Sequence, residues 1–224
     1  WLQKTAGLNR GDRVALMLPN LLQYPIALFG VLRAGLVAVN TNPLYTPREL
    51  EHQLKDSGAV AIVVLENFAH TLEQVIGSTQ VRTVITTQIG DRLPPVKRLL
   101  VNAVVKYGKK MVPHWNLPGS LEFNDVVTAG RALALDDVPL TRDDIAFLQY
   151  TGGTTGVAKG AMLTHGNMVS NVLQVAAWVA RDLKDGAETT VVPLPLYHVF
   201  ALTASLAFVR KGAMTVLIAN PRHL

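Results

Sequence analysis

Continuous apolar runs alternate with longer amphipathic segments along the first 90 residues. The runs favour buried β-strands and lie at residues 13–18, 36–40, 59–65 and 82–87. The segments between them favour helices and lie at residues 21–34, 46–56 and 68–76. Strands that are apolar on both faces and separated by helices indicate a parallel sheet covered on both sides. The pattern therefore predicts an α/β fold.

The second half of the chain continues this alternation with one difference. Apolar runs at residues 145–150 and 160–164 are separated by a glycine-rich segment instead of a helix, so we expect a loop that joins two strands. Further on, the pattern favours helices at residues 167–181 and 199–209 and strands at 189–192 and 213–219. Thr164 or His165 stands where the cap of the first of these helices should be.

The loop that joins the two strands is the most informative part of the sequence. Residues 151–160, called here the glycine–threonine loop, hold four glycines, three threonines and Lys159, and no acid. Glycine lets backbone N–H groups approach an anion closely, threonine adds donors, and lysine adds a mobile positive charge. This combination favours a polyphosphate ligand. The P-loop NTPase pattern fails because Lys159 stands between Ala158 and Gly160, and the alternative is a flexible hairpin turn.

Composition narrows the class of protein. The 224 residues are 49% hydrophobic and 17% charged, which allows a sizeable core and argues against disorder. Without cysteine there is no disulfide and no thiolate metal site, which fits a reducing compartment. The sequence starts at Trp1, shows no signal peptide and has no apolar run as long as a membrane span. We therefore expect a piece of a longer, cytoplasmic protein.

Positive charge is concentrated in one segment. Residues 92–121 hold six Lys or Arg and no acid, which leaves −1 for the other residues because the net charge is +5. Residues 93–118 favour a basic amphipathic helix, with a polar side (Arg98, Asn102, Lys106, Lys109, Lys110, and also Leu99) and an apolar side (Leu100, Val101, Val104, Val105, Tyr107, Met111). Two interpretations stay open, contact with an anionic membrane or a solvated helix that packs on its own protein. Since no aromatic or helix-turn-helix signal accompanies the charge, we expect no nucleic-acid binding.

Three segments carry a resemblance to a known family. Residues 150–165 read Tyr-Thr-Gly-Gly-Thr-Thr-Gly-Val-Ala-Lys-Gly-Ala-Met-Leu-Thr-His. This segment resembles the phosphate-loop signature of the AMP-forming adenylate ligases, the superfamily of acyl-CoA synthetases, luciferases and peptide-synthetase adenylation domains. Residues 193–200 are similar to the aromatic and histidine segment beside that family's carboxylate pocket, and residues 11–20 and 36–45 to the opening of its large domain. The likeness covers essentially the whole chain and is greatest to bacterial long-chain fatty acid–CoA ligases.

The resemblance implies a partial N-terminal large domain of an adenylate-forming ligase, with mostly parallel sheets flanked by helices. Within it we expect an α/β part at residues 1–90, a basic amphipathic insertion at 91–135 and a phosphate-loop part at 136–224. The family's later motifs and its small C-terminal domain with the catalytic lysine do not occur in the sequence. We therefore expect the chain alone to be inactive, as a nucleotide-binding or interaction fragment without catalysis.

The resemblance also implies a chemistry. The family joins a carboxylic acid to ATP, releases pyrophosphate, and passes the acyl group from the adenylate to coenzyme A. By matching position, the residues that would cradle the β- and γ-phosphates are Thr151, Gly152, Gly153, Thr154, Thr155, Gly156 and Lys159. Lys159 and His198 would be catalytic, with His198 near the carboxylate and the adenine. The alternative for His198 is a buried histidine held by the local backbone.

The implied partners are a fatty acid, ATP, Mg²⁺ and coenzyme A, and an aryl or other carboxylic acid is an alternative substrate. Mg²⁺ would bridge the phosphates, partly held by a glutamate that this sequence lacks, and we expect no metal ligand in the chain. Apolar surface exposed by truncation predicts homo-oligomers. The basic segment predicts peripheral contact with the inner face of an anionic membrane, from a cytoplasmic location.

Overall fold

A computed structural model of the chain describes residues 1–151 and 158–219. The strands are β1 Arg13–Met17, β2 Val37–Asn40, β3 Ala59–Leu65, β4 Thr83–Thr87, β5 Leu121–Glu122, β6 Ile145–Thr151, β7 Lys159–Thr164, β8 Thr189–Val192 and β9 Met214–Leu217. The helices are α1 Gln23–Arg33, α2 Pro47–Ser57, α3 Ala69–Glu73, α4 Pro95–Ala103, α5 Phe123–Gly130, α6 His165–Trp178 and α7 Val199–Arg210. A π-helical turn, Val104–Gly108, continues α4. Within these ranges, the helices are too short or too polar to cross a membrane.

Two sheets organise the chain. The larger has the strand order β5-β4-β3-β1-β2-β6-β7, and its neighbours pair in parallel except for the antiparallel pair β6 and β7. The smaller consists of β8 and β9 in parallel. This confirms the predicted α/β class, with mostly parallel sheets flanked by helices.

Helices cover both faces of the larger sheet, and alternate residues of its central strand show how. Val14 and Leu16 pack in one cluster with α1, α5, α6 and α7, whereas Ala15 and Met17 pack in a second cluster with α2 and α3. All four side chains are fully buried. Because both faces of the sheet are covered by helices, these strands are continuous apolar runs in the sequence. They lack the alternation of apolar and polar residues that a strand with one exposed face shows.

The segment after β4 departs most from the predictions. Strand β5 and helix α5, at residues 121–130, were not predicted, because β5 is two exposed residues long and has no apolar run. The basic helix is also shorter than the predicted range of 93–118. It ends at Gly108, where Lys110 adopts φ 50° and the Met111 N–H donates to the Val105 carbonyl at 3.0 Å, which is the geometry of a helix C-terminal cap.

The two sides of α4 are arranged differently from the predicted ones. Asn102 points to the protein, where it accepts from the Gly90 N–H at 2.7 Å and donates to the Gln88 amide oxygen at 2.8 Å. Val101 and Val105, expected on the apolar side, are half-buried. Leu99, expected on the polar side, is 72% exposed, as are several residues of the apolar side.

Candidate functional site

Strands β6 and β7 form a hairpin at one edge of the larger sheet, and the glycine–threonine loop connects them. Thr151 stands opposite Lys159 in the register, and both are exposed at the open end of the hairpin. A hydroxyl donor and an ammonium group are therefore brought together by the pairing. The residues Gly152, Gly153, Thr154, Thr155 and Gly156 lie outside the described residues, and their roles stay predictions.

Behind this pair, the ring of Tyr150 lies across Gly160. A Cβ atom at Gly160 would stand 2.9 Å from two ring carbons of Tyr150, so only glycine leaves room for the ring. Burial, and then the neighbouring Asp56 carboxylate, raise the pKa of the Tyr150 hydroxyl well above its usual range. Tyr150 is therefore a neutral hydrogen-bond donor.

The hairpin leads directly into α6 through a capping box. The Thr164 hydroxyl accepts from the Asn167 N–H at 3.1 Å, and the Asn167 side chain accepts from the Thr164 N–H at 3.0 Å. Of the two predicted cap positions, Thr164 is therefore the cap, and the structure adds Asn167 as its partner. His165 is the first helical residue, and burial lowers its pKa, although the nearby Asp144 carboxylate opposes part of the shift.

Asp144 ties the start of β6 to the N-terminal part of the chain. Its two oxygens accept from the Arg10 guanidinium at 2.6 and 2.7 Å, and one of them accepts from the Thr141 N–H at 2.6 Å. The Arg10 contact, and then the Thr141 N–H, lower the pKa of Asp144 to about 2. The carboxylate thus stays charged and keeps its contacts at any pH near neutral.

A buried polar network connects β2, β6 and the turn before α7. Asn40 and Gln149 are register partners on adjacent strands, and the Asn40 amide donates to the Gln149 oxygen at 3.0 Å. Gln149 in turn donates to the Tyr197 carbonyl at 2.8 Å. The Tyr24 hydroxyl lies 2.7 Å from the Asn40 amide oxygen and 3.0 Å from the Leu196 carbonyl, with one proton to donate.

Asn20 holds the same turn from a second direction. Its amide donates to the Val192 carbonyl at 3.0 Å and to the Leu194 carbonyl at 2.9 Å, and its oxygen accepts from the Leu196 N–H at 2.8 Å. Asn20 is 4% exposed, and its partners lie more than 170 residues away in the sequence. The sequence interpretation missed the roles of Asn20, Tyr24, Asn40 and Gln149. For Asn40 and Gln149, a polar residue inside an otherwise apolar strand was a signal, whereas Asn20 lies in the connection between β1 and α1 and had no such signal.

This network determines where His198 lies. His198 stands at the N-cap of α7, its N–H donates to the Pro195 carbonyl at 3.0 Å, and its ring centroid lies 4.6 Å from that of Tyr197. The His198 side chain is exposed in this chain. The structure links the His198 turn to the loop-bearing strand through Gln149, two residues before Thr151. Its described contacts do not join His198 to Lys159.

A cavity of about 480 Å³ lies at the carboxyl ends of β1 and β3. These neighbouring strands lead to helices on opposite faces, α1 and α3, and ligands of open α/β sheets bind at such a point. The lining is mostly apolar and includes Pro19, Leu65, Phe68, Met111, Pro193 and Tyr197. Asn67 also lines the cavity, and its buried amide oxygen has no hydrogen-bond partner within residues 1–151 and 158–219.

Residues 1–151 and 158–219 contain no group of three or more His, Asp or Glu side chains placed to hold a metal ion. The described polar groups at the hairpin are a hydroxyl and an ammonium, which suit phosphate oxygens.

Comparisons with known proteins identify the relatives of the chain. A family model described as AMP-binding enzyme matches residues 1–224. A long-chain-fatty-acid–CoA ligase of Yersinia pestis is 59% identical over 225 residues, covering 100% of this chain and 40% of that protein. A ligase of the same name from Haemophilus influenzae is also 59% identical, over 228 residues, again with 100% and 40% coverage.

A solved structure shows the same fold. The long-chain-fatty-acid–CoA ligase of Archaeoglobus fulgidus superimposes with a TM-score of 0.74 and 28% identity, over 96% of this chain and 37% of that one. The chain thus spans about 40% of the length of the curated relatives it matches.

Proposed function

The chain belongs to the AMP-binding enzyme family, and from that premise we propose that the whole protein is a long-chain fatty acid–CoA ligase. It would join a fatty acid to ATP, release pyrophosphate, and transfer the acyl group from the adenylate to the thiol of coenzyme A, with loss of AMP. The 59% identity to relatives of that name carries the proposal. An aryl or other carboxylic acid is the alternative substrate.

The reaction brings two anions together and places new charge on the departing pyrophosphate. Positioned donors and fixed positive charge are the means by which a protein lowers such a barrier. We propose that Lys159 and Thr151 bind the β- and γ-phosphates together with Gly152, Gly153, Thr154, Thr155 and Gly156. The exposed His198 would orient the carboxylate of the acid.

Mg²⁺ is the ion that ATP-dependent enzymes of this kind use to neutralise phosphate charge. The hydroxyl of Thr151 is a hard oxygen donor that fits Mg²⁺, whereas the described residues offer no carboxylate cluster there. We therefore propose that the phosphate oxygens would be the main ligands of the ion. The apolar cavity beside Tyr197 supports an alkyl substrate, since its lining would bury a methylene chain.

Acid-dependent release of AMP by the whole protein tests this proposal. We expect fatty acids to support it better than aryl acids. Lys159→Ala should lower kcat/KM about 10- to 100-fold, because a hydrogen bond to a charged group contributes about 1.5–3 kcal/mol. Lys184→Ala, also an exposed lysine, is the matched control and should change nothing. Preference for an aryl acid would contradict the proposed substrate, and an unchanged kcat/KM in Lys159→Ala would contradict the proposed site.

The chain by itself is proposed to be a nucleotide-binding or interaction module without catalysis. Mass spectrometry of the chain with ATP, a fatty acid and coenzyme A should show no thioester. One turnover would contradict this.

We also propose that the chain self-associates. Large apolar side chains are exposed in the second half of the chain, with Trp178 85% exposed on α6, Met214 63% on β9 and Val191 58% on β8. Exposed apolar surface of this kind favours association. Light scattering at rising concentration should show oligomers, and Trp178→Ser should reduce them. A monomer at the highest concentration would remove the proposal.

A cytoplasmic location with peripheral contact at the inner face of an anionic membrane is proposed as well, and the outward side of α4 supports it. Helix α4 has no buried residue. The exposed apolar side chains of α4 and of the π-helical turn after it follow helical spacing and are Val96 (72%), Leu99 (72%), Leu100 (59%), Val104 (51%) and Tyr107 (73%). Residues 92–121 contain no acid, and of their cations Lys106 pairs with Glu66 at 3.9 Å. An apolar stripe bordered by cations suits an anionic lipid surface.

Vesicle sedimentation tests the membrane contact, and the chain offers a matched control. Leu99→Asp should weaken binding to phosphatidylglycerol vesicles about tenfold or more, because the leucine would be buried in the lipid. Leu44→Asp changes an equally exposed leucine, 73% against 72%, and should have no effect. Binding should fall with salt. Equal binding to neutral phosphatidylcholine vesicles, or equal effects of both substitutions, would contradict the assignment.

A further inference from the structure

Helix α2 contacts the hairpin on both sides of the glycine–threonine loop. On one side, the Tyr150 hydroxyl donates to the Asp56 carboxylate at 2.5 Å. On the other, Nε2 of His52 lies 2.9 Å from the Ala158 carbonyl oxygen. His52 and Asp56 are four residues apart on α2 and therefore share one face of the helix. We propose that α2 is a two-point clamp, in which His52 and Asp56 are positioning residues that hold the two ends of the loop for binding of the ATP phosphates.

The His52 contact fixes the backbone immediately before Lys159. A carbonyl oxygen only accepts, so Nε2 must carry the proton and donate it to Ala158. The bond spans 106 residues of sequence and joins the helix to the start of β7. Ala158 directly precedes Lys159 in the chain. A fixed Ala158 carbonyl therefore also fixes the backbone from which the Lys159 side chain extends.

The Asp56 contact fixes the strand before the loop. Tyr150 is 7% exposed and reaches Asp56 across Gly160, which has no side chain to block the ring. Tyr150 is followed by Thr151, the first residue of the loop, so this bond sets the position of the end opposite to Ala158. One contact is made by Tyr150 on β6, and the other by Ala158, the residue directly before β7.

The clamp is mounted on a rigid element. Thr46 and Glu49 form a capping box at the start of α2, and Gly58 ends it in the left-handed conformation with φ 62°. Leu50 and Leu54 are fully buried against the sheet. The Gln53 amide donates to the Asn40 carbonyl at 2.9 Å, which ties α2 to the end of β2. Through α2, the two polar contacts therefore fix the ends of the loop relative to the core of the fold.

Residues that are already held in place when a ligand arrives lose less freedom on binding. The expected consequence is an effect on ATP affinity and not on the other substrates. This inference rests on the proposed function, since it takes the phosphates of ATP as the ligand of the loop.

Calorimetric binding of Mg-ATP to the whole protein tests the clamp without requiring catalysis. His52→Ala and Asp56→Ala should each raise the Kd about 2- to 10-fold, as expected for the loss of one hydrogen bond. His52→Gln, which keeps a donor, and Asp56→Asn, which keeps an acceptor, should restore much of the affinity. Tyr150→Phe removes only the hydroxyl, and adding it to Asp56→Ala should cost little more, because both changes break the same bond.

The matched controls lie on the same helix one residue earlier. Glu51 and Lys55 have the same spacing and form an ion pair of 2.5 Å on another face. Glu51→Ala and Lys55→Ala should leave the Kd for Mg-ATP unchanged, and in all variants the KM values for fatty acid and coenzyme A should stay as in the wild type. An unchanged Mg-ATP Kd in His52→Ala, Asp56→Ala and Tyr150→Phe, or an equal rise in the controls, would overturn the clamp. Mg-ATP binding without fatty-acid-dependent AMP release in the wild type would instead overturn the proposed function alone.

Discussion

Helices α2 and α4 are both amphipathic and both have proline in the first turn, yet α2 buries its leucines whereas α4 leaves its leucines exposed. In α2 the leucines Leu50 and Leu54 are fully buried, and the charged residues face solvent. In α4 the leucines Leu99 and Leu100 are 72% and 59% exposed, and the polar Asn102 faces the body of the protein. The comparison shows that an amphipathic pattern defines two faces without deciding which of them is buried.

The difference arises from the surface against which each helix packs. Helix α2 crosses from β2 to β3 over an apolar sheet face, to which only an apolar stripe can pack. Helix α4 follows the loop after β4, where Gln88, Gly90 and Asp91 offer hydrogen-bonding groups. These hydrogen-bonding groups bind Asn102, so the side of α4 that carries Asn102 faces the protein.

The largest expected difference between the helices comes from truncating one leucine in each. Leu54→Ala should lower the free energy of unfolding by about 2–5 kcal/mol, because it leaves a cavity in the core. Leu99→Ala should change it by less than about 0.5 kcal/mol, as for an exposed site. Urea denaturation of the two variants measures both values. Equal losses of unfolding free energy would mean that Leu99 is buried, which would contradict the difference between the two helices.

Removing the polar anchor of α4 should have the next largest effect. Asn102→Ala leaves the Gly90 N–H without its acceptor and should cost about 1–3 kcal/mol in unfolding free energy. Asn116→Ala, at an exposed asparagine further along the segment, is the control and should be close to neutral. If Asn102→Ala were also neutral, the polar side of α4 would not be what orients the helix.

The caps of the two helices differ, and this difference should be smaller. Thr46 caps α2 with its side chain, whereas Pro94 at the same position of α4 provides no side-chain cap. Thr46→Ala should therefore cost about 1 kcal/mol of unfolding free energy, and Thr46→Ser should retain most of it. A neutral Thr46→Ala variant would show that packing alone holds α2 in place.

The smallest effect is a dependence on pH. The hydrogen bonds from the Thr46 backbone N–H and hydroxyl lower the pKa of Glu49 below its ordinary value of 4.5. Because the folded state has the lower pKa, the contribution of Glu49 is present above pH 4.5 and is lost as the pH falls through the folded value.

Thermal unfolding of wild type and Glu49→Gln between pH 7 and pH 3 measures this contribution. The difference in Tm between the two proteins should shrink on acidification. A constant difference would contradict the assignment. Helix α4 has no acidic residue in its first turn and should add nothing to the pH dependence of this capping position.

Much of the fold could be predicted from local pattern. Strand β3 occupies Ala59–Leu65 and β8 occupies Thr189–Val192, at their predicted limits, because a short β-branched run between turns is recognisable without its partners. The cap at Thr164 was recognisable for the same reason, since its partner Asn167 is three residues away. Strand β5 was missed because its only support is the register with β4, more than 30 residues earlier.

The candidate site divides in the same way. Thr151, Lys159 and His198 could be named from the motif and the family resemblance. The residues that place them could not, because Asp56 meets Tyr150 over 94 residues of sequence and Gln149 meets the Tyr197 carbonyl over 48. The residues next to either member of such a pair form no pattern that predicts its distant partner.

By itself, the sequence determined the α/β class, most strand and helix limits, the approximate position of the cap before α6 and the chemical character of the glycine–threonine loop. These depend on residue types within a few positions of one another, where backbone preference and apolar periodicity act. Only the tertiary structure decided which face of α4 is exposed, which polar residues are buried together around Asn40, and that His52 and Asp56 meet the two ends of the loop. Those outcomes depend on which surfaces the folded sheet brings into contact, and a hydrogen bond can form only where the fold has placed both partners.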